Sequence, residues 1–218
     1  MLTVSVLALL VSSLALGISA LTAWLTLLRK GQLRMTQPTQ IYFGPDGGFK
    51  RGEAPSKIYL RSMLYTTGKR GRVVENMFVR LHRGETRQNF NIWVYGDEHL
   101  GRGAGVFVPE TGVVTNQHFV ISPDAKFEFT AGDYLLQIFA TEARRNKMHL
   151  LFSVSLEISP IIYDKLRQPD HGLYFDWRPD SGRYLAQFRP PPRTEVPAFL
   201  REIFVGGKEQ ENTDPLTG

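Results

Sequence analysis

The chain has no cysteine. That excludes a disulfide framework and any thiolate metal site, and it agrees with a reducing compartment. It has no Lys, Arg, Asp or Glu from Leu2 to Leu28, the stretch LTVSVLALLVSSLALGISALTAWLTLL. Other absences narrow the chemistry. No Gly-Lys-Ser/Thr phosphate loop, metalloprotease histidine spacing or nucleophile elbow occurs, and no aromatic-studded RNA motif. The expectation is a protein with no catalytic residues, no metal, no cofactor and no nucleic-acid partner.

What is present begins with that uncharged stretch. Its 27 residues include ten Leu, three Val and one Ile. As a helix rising about 1.5 Å per residue it spans roughly 40 Å, against a hydrocarbon core about 30 Å thick. Those apolar residues are together worth roughly −4 to −8 kcal/mol on an insertion scale. A cleaved signal peptide needs a basic start, a short apolar region and a small-residue cleavage site. Here no Lys or Arg precedes the run, the run is too long, and Gly17-Ile18-Ser19-Ala20 matches a cleavage site poorly. A retained single-pass helix is expected, with the lipid bilayer as the first partner.

Charge sets the expected orientation. Arg29, Lys30 and Arg34 follow the helix, with Lys50 and Arg51 beyond, and nothing basic but the α-amino group precedes it. The positive-inside bias then puts the N-terminus outside and the body in the cytoplasm. Trp24 stands at the basic end, where interfacial aromatics sit. Small residues recur at four-residue spacing (Ala8 with Ser12, Ser13 with Gly17, and Ala15, Ser19, Ala23), which would permit helix-mediated self-association. A Leu-rich helix containing many Ala and Ser shows the same spacing by chance.

Residues beyond the helix carry all the charge of the 218-residue chain, a net of +5 with 21 acidic residues interspersed. A mild basic excess beside a membrane fits lipid proximity. The pattern is one of strands. Lys57 to Thr66 alternates with Ile58, Leu60, Ser62 and Leu64 inward. Arg72 to Arg83 sets Val73, Met77, Val79 and Leu81 inward. Glu75 interrupts that set and predicts a bulge or a partnered carboxylate. Gln88 to Tyr95 reads as one strand with Phe90, Ile92 and Val94 inward, so Trp93 faces out. Short strands are expected at Gln40–Phe43, Gly105–Val108, Gly112–Ile121 and Lys126–Phe129. Gly132 to Glu142 puts Tyr134, Leu136, Ile138 and Ala140 inward, and Met148 to Ile158 puts Leu150, Phe152, Val154, Leu156 and Ile158 inward. Seven or eight such strands without a long helical interruption argue for a two-sheet antiparallel sandwich.

The expected organisation is a transmembrane helix over 1–30, a connector with a first short strand over 31–56, a β-sandwich over 57–158, an extension over 159–205 and a disordered tail over 206–218. The extension holds a helical turn at Pro160–Arg167 and a hairpin of Gly172–Trp177 with Gly182–Phe188. Beyond it come a Pro190–Pro192 spacer and an amphipathic helix bearing Val196, Phe199, Leu200, Ile203 and Phe204.

The segment Ala131-Gly132-Asp133-Tyr134-Leu135-Leu136-Gln137-Ile138 resembles the late strand of immunoglobulin-like and fibronectin-III-like sandwiches, where a Tyr near the strand start pins a corner. Lys57 to Leu81 resembles their early strand pair, and the likeness covers roughly residues 40–158. It implies a fold shared by many functions. The inter-sheet disulfide of such domains has no counterpart here. The layout is also similar to that of copper-delivery factors for respiratory oxidases, whose paired cysteines this chain lacks. The blocks MTQPTQIYFGPDGG and RVVENMFVRLHRGE resemble uncharacterised bacterial single-pass proteins. That resemblance implies a bacterial inner membrane and brings no activity with it.

Weighed residue by residue, the chemistry-bearing clusters have plainer explanations. The loop Gly101-Arg102-Gly103-Ala104-Gly105 reads as a strand connection rather than an anion cradle. Asp97, Glu98 and His99 are adjacent and diverge too much to share one metal ion. His82, His99, His118, His149 and His171 are scattered. Asp170, His171, Asp176 and Asp180 read as turn residues. The aromatics Tyr59, Tyr65, Phe78, Trp93, Tyr95, Phe139, Tyr174 and Trp177 fall on outer faces or in the late extension. Either they pack beneath residues 160–205 or they form a partner surface.

The leading expectation is a membrane-anchored, non-enzymatic accessory or assembly subunit contacting a membrane-protein complex. Trp93, Tyr95, Trp177, Phe199, Leu200, Ile203 and Phe204 would form its contact residues. The alternative is a tethered module for a glycan or lipid headgroup with Trp93 and Trp177 as stacking platforms.

Overall fold

The structure is a computed structural model that describes residues 2–28, 31–46, 54–97, 99–103, 105–123, 125–143, 148–166 and 171–189. The proline spacer, the amphipathic helix, the tail, Arg29, Lys30 and Glu98 lie outside these residues.

Helix α1 (Leu2–Ala23) continues into a π-helical turn at Trp24–Leu28. The apolar span Thr3–Thr26 is long and apolar enough to cross a membrane, and none of it is buried against the body. Several of its hydroxyls are satisfied within the helix: Ser12 and Ser13 donate to the carbonyls of Ala8 and Leu9, each at 2.8 Å. This is how a polar side chain is tolerated where water is absent.

The body is mainly β. The strands are β1 (Leu33–Met35), β2 (Gln40–Pro45), β3 (Ser56–Thr66), β4 (Arg72–Arg83), β5 (Thr86–Phe90), β6 (Ile92–Tyr95) and β7 (Gly101–Arg102). They continue as β8 (Val106–Val108), β9 (Val113–Val120), β10 (Gly132–Glu142), β11 (Met148–Ile158), β12 (Gly172–Arg178) and β13 (Arg183–Arg189). A short helix α2 (Pro160–Leu166) precedes the last hairpin. All pairings are antiparallel. The first sheet runs β13-β12-β2-β3-β9-β6-β7 with β1 beside β3; the second runs β11-β10-β4-β5 with β8 beside β4. The two sheets share one apolar core, to which Ile41, Ile58, Leu60 and Phe119 contribute from the first and Val79, Leu81, Leu136 and Ile138 from the second. The late hairpin extends the first sheet, because β12 pairs with β2.

Alternation explains most of this. In β3 the residues Ile58, Leu60, Ser62 and Leu64 are buried, and in β10 Tyr134, Leu136, Ile138 and Ala140 are. The bulge expected at Glu75 is present. Thr141 pairs with Asn76 and Glu142 with Val74, so Glu75 is the extra residue. The extra residue reverses the phase behind it, which corrects the reading of Val73: Val74 is buried and Val73 is exposed.

Other expectations fail for identifiable reasons. Gln88 to Tyr95 is not one strand. The chain leaves the second sheet after Phe90 and enters the first at Ile92, and this change of sheet turns Trp93 into the core. Lys126–Phe129 is not a strand either. Phe127 and Phe129 instead plug one end of the sandwich, with Phe129 stacked on Phe43 at 4.8 Å. Leu150 is exposed, because a register shift at Ile138/Phe139 rephases the start of β11. The connector 31–39 contains a strand, β1, which its length concealed. Tyr134 closes the turn before its own strand: its hydroxyl donates to the Thr130 carbonyl at 2.8 Å and accepts from the Thr130 N–H at 2.9 Å.

Candidate functional site

The irregular positions of the sequence meet in one place. On one side of β4, β5 pairs with Val79–Arg83 and β8 with Arg72–Val74. Between them the edge of β4 is uncovered at Glu75 to Phe78. The bulge projects Glu75 there, and the Asn76 side chain accepts the Met77 N–H at 2.8 Å, capping a backbone donor the missing strand would have used. The chain departs across the gap at Asn91 and returns at Gly103. A cleft of about 490 Å³ results, lined by Glu75, Asn76, Asn91, Trp93, Arg102, Gly103 and Thr141.

Trp93 forms the inner wall and is only 2% exposed. Its indole N–H donates to Gln117 Oε1 at 2.6 Å, and its ring packs on Tyr95 at 4.6 Å. Tyr95 in turn donates to the Gly105 carbonyl at 2.9 Å. Glycine is required at 103, because a Cβ there would lie 2.6 Å from the indole ring. Gly101 and Arg102 form β7, paired with Tyr95 and Val94. A carboxylate, two amides, a hydroxyl and a guanidinium line the cleft, a set suited to hydrogen-bonding a polar molecule of small size. Among the described residues no cluster of His, Asp and Glu could hold a metal ion. Asp97 instead accepts from Arg61 at 2.9 Å.

Most groups with displaced pKa values lie elsewhere, on the face of the first sheet turned away from the core. Tyr174, Tyr42, Tyr59 and His118 occupy one cross-strand row over β12, β2, β3 and β9. Burial pushes the Tyr42 phenol well above its usual value and Tyr174 up to about 12. Burial, and then the Lys57 ammonium, hold His118 down to about 3. Lys57 itself is fully buried and pairs with Asp46 at 2.9 Å. These phenols and this imidazole are neutral near pH 7 and enclosed, so the row is a structural layer.

A third feature is the outer face of the second sheet. Phe78 and Phe139 stack at 5.2 Å, and the Arg80 guanidinium lies 4.8 Å from the Phe139 ring. Leu135, Met148 and Leu150 extend this patch into solvent.

The sequence-derived contact residues are thus dispersed. Trp93 is in the core, correcting its outward assignment, and Tyr174 is buried as well. Trp177 is half-buried against Tyr184, whose ring is 5.1 Å away. Trp93 and Trp177 stand on β6 and β12 with β9, β3 and β2 between them, roughly 19 Å apart at the usual strand spacing, and share no groove. Trp24 is exposed on the helix, and Arg34 is exposed and donates to Gln32 Oε1 at 2.7 Å. Phe199, Leu200, Ile203 and Phe204 lie outside the described residues. Sequence reasoning missed Asp46, Lys57, Asn76, Asn91 and Thr141, and it set Arg102 aside as part of a strand connection. Glu75, Trp93 and the loop holding Arg102 and Gly103 each stand out in the sequence, but nothing there joins them into one cleft.

Fold and site together define a mainly β, two-sheet antiparallel protein with one apolar N-terminal helix. No protein-family model and no curated protein matches the chain. One solved structure with a similar course is a family 123 glycoside hydrolase from Clostridium perfringens, described for glycolipid glycan hydrolysis. It is 9% identical, with a TM-score of 0.34 over 60% of this chain and 27% of that one. The chain thus spans about a quarter of that enzyme, and a likeness this small carries no argument about fold or reaction.

Proposed function

We propose that the chain is a membrane-anchored, non-enzymatic accessory or assembly subunit whose β-sandwich binds a protein in the same membrane. The observation that carries this is the outer face of the second sheet. Two stacked phenylalanines under an arginine, bordered by exposed Leu150 and Met148, have the composition of an interface core. The apolar helix supports the anchor, and Arg29, Lys30 and Arg34 favour a cytoplasmic body on a bacterial inner membrane. The Tyr134 turn supports reading the body as immunoglobulin-like. The test is crosslinking in intact membranes followed by mild-detergent purification. Arg80→Glu combined with Leu150→Asp is expected to reduce the recovered partner by at least about tenfold, as loss of a hot spot does. Glu85→Gln, on the exposed turn between β4 and β5, should leave it unchanged. Recovery of the wild-type chain alone would remove the proposal.

The cleft favours a second reading, a module for a small hydroxyl-rich ligand held by hydrogen bonds rather than by stacking on two Trp. Saturation-transfer NMR with soluble mono- and disaccharides is expected to show transfer that Arg102→Ala abolishes. No transfer to any sugar would eliminate this reading.

A further inference from the structure

We propose that the end of the sandwich nearest the helix docks on anionic phospholipid headgroups, through the turn 67–71 and the Phe107 side chain laid against it. This rests on the anchor reading above and adds a second, peripheral lipid contact.

The argument begins with reach. Three backbone steps separate Leu28, the last residue of the helical run, from Gly31, so they lie at most about 11 Å apart. At Gly31 the chain is already pinned to the body. The Gln32 N–H donates to Thr67 Oγ1 at 2.8 Å, and the Thr67 N–H donates to the Gln32 carbonyl at 3.0 Å. The Arg72 guanidinium donates to the Gly31 carbonyl and holds Glu142 at 2.6 Å. The approach is so close that a Cβ on Gly31 would lie 2.2 Å from the Gly68 nitrogen. A headgroup layer is about 5–8 Å deep on each side of the hydrocarbon. The turn 67–71 is therefore held at or just beyond headgroup depth, with no slack to stand off.

What the turn presents suits that depth. Lys69 and Arg70 are exposed. Phe107 is 63% exposed, the ring lying against Gly71, where a Cβ would come within 2.3 Å of it. Its cross-strand partner Val73 is also exposed. Large apolar side chains left in water beside two cations are unfavourable for a soluble surface and favourable at a lipid interface, where the ring enters the headgroup layer and the cations meet phosphate. Glu110, in the neighbouring turn, is the opposing charge. Glu142 is buried and taken up by Arg72. Two attachments, helix and turn, fix the sandwich's orientation, so that its Phe78–Phe139 face looks along the membrane plane.

The absence of cysteine makes the test direct. The full-length chain is placed in nanodiscs of mixed phosphatidylglycerol and phosphatidylcholine with a single spin label, at Thr111→Cys beside the turn or at Glu85→Cys. The latter lies past the far end of the 12-residue β4, roughly 40 Å away. The label at 111 is expected to collide with oxygen in preference to a water-soluble nickel chelate, and the label at 85 to show the reverse. Lys69→Gln and Arg70→Gln should each lower the docked-to-undocked ratio about fivefold, and an all-phosphatidylcholine disc should lower it further. A label at 111 as open to nickel as that at 85, in an inserted chain, overturns this inference alone. Contact undiminished in all-phosphatidylcholine discs overturns the anionic recognition. An intact chain that stays in the aqueous fraction overturns the anchor reading and this inference with it.

Discussion

Asp46→Ala is expected to destabilise the protein by about 3–5 kcal/mol, a large share of the 5–15 kcal/mol typical of a whole domain. The reason is the position of its partner. Lys57 is 0% exposed, and Asp46 is the carboxylate 2.9 Å from its ammonium. Removing the carboxylate leaves a buried cation whose desolvation nothing offsets. Lys57→Ala is expected to fall in the same range through the orphaned anion. The double variant Lys57→Met with Asp46→Leu should recover most of the loss and is expected to match or exceed wild type, because an apolar pair removes both desolvation penalties. Urea unfolding of the detergent-solubilised full-length chain, followed by circular dichroism, compares wild type with these three variants. Single variants within about 1 kcal/mol of wild type would mean that the pair is hydrated, against the burial seen here.

The second large effect is a loss of stability in acid. His118 is buried on β9, its ring 4.9 Å from that of Tyr59, and the Lys57 ammonium opposes its protonation further. Its folded-state pKa is about 3 against an ordinary 6.5. Between those values the unfolded chain binds a proton that the folded chain does not. Stability therefore rises with pH across this window and falls on acidification, with a slope approaching about 1.4 kcal/mol per pH unit. The contribution lost from pH 6.5 to 3 is on the order of 4 kcal/mol. The buried phenols act in the opposite sense at the other extreme. Tyr174 and Tyr184 are raised to about 12, so the unfolded chain loses protons first and stability declines above pH 10. The readout is the difference in slope between wild type and His118→Gln from pH 4 to 6.5, which stays informative even if the variant is less stable throughout. Parallel slopes would show that His118 titrates normally in the fold.

Much of the architecture was legible because it depends on local periodicity. The alternation in β3 and β10 named their buried residues, and the charged interruption at Glu75 located a bulge that the pairing of β4 with β10 displays. Reading failed where the chain changed sheets or phase. Phe90 and Trp93 are both buried although they are an odd number of positions apart, which would put them on opposite faces of one strand, and only a crossing at Asn91 between two sheets allows it. Val73 and Leu150 were assigned inward for the same reason, since a register shift lies near each. The joining of Glu75, Trp93 and Arg102 into one cleft was illegible. Its walls come from four strands, and it exists because β5 and β8 leave a gap along β4.

By itself the sequence determined the terms of solvation: an uncharged helix suited to lipid, strands with one apolar face, and an excess of basic residues at the junction between them. These are properties of each residue with its near neighbours, so no partner element need be known. Tertiary structure alone decided which polar groups are enclosed, which aromatics remain in water and where a void is left. Those depend on residues distant in the chain arriving at the same place, as Asp46 does with Lys57 and Gly31 with Gly68.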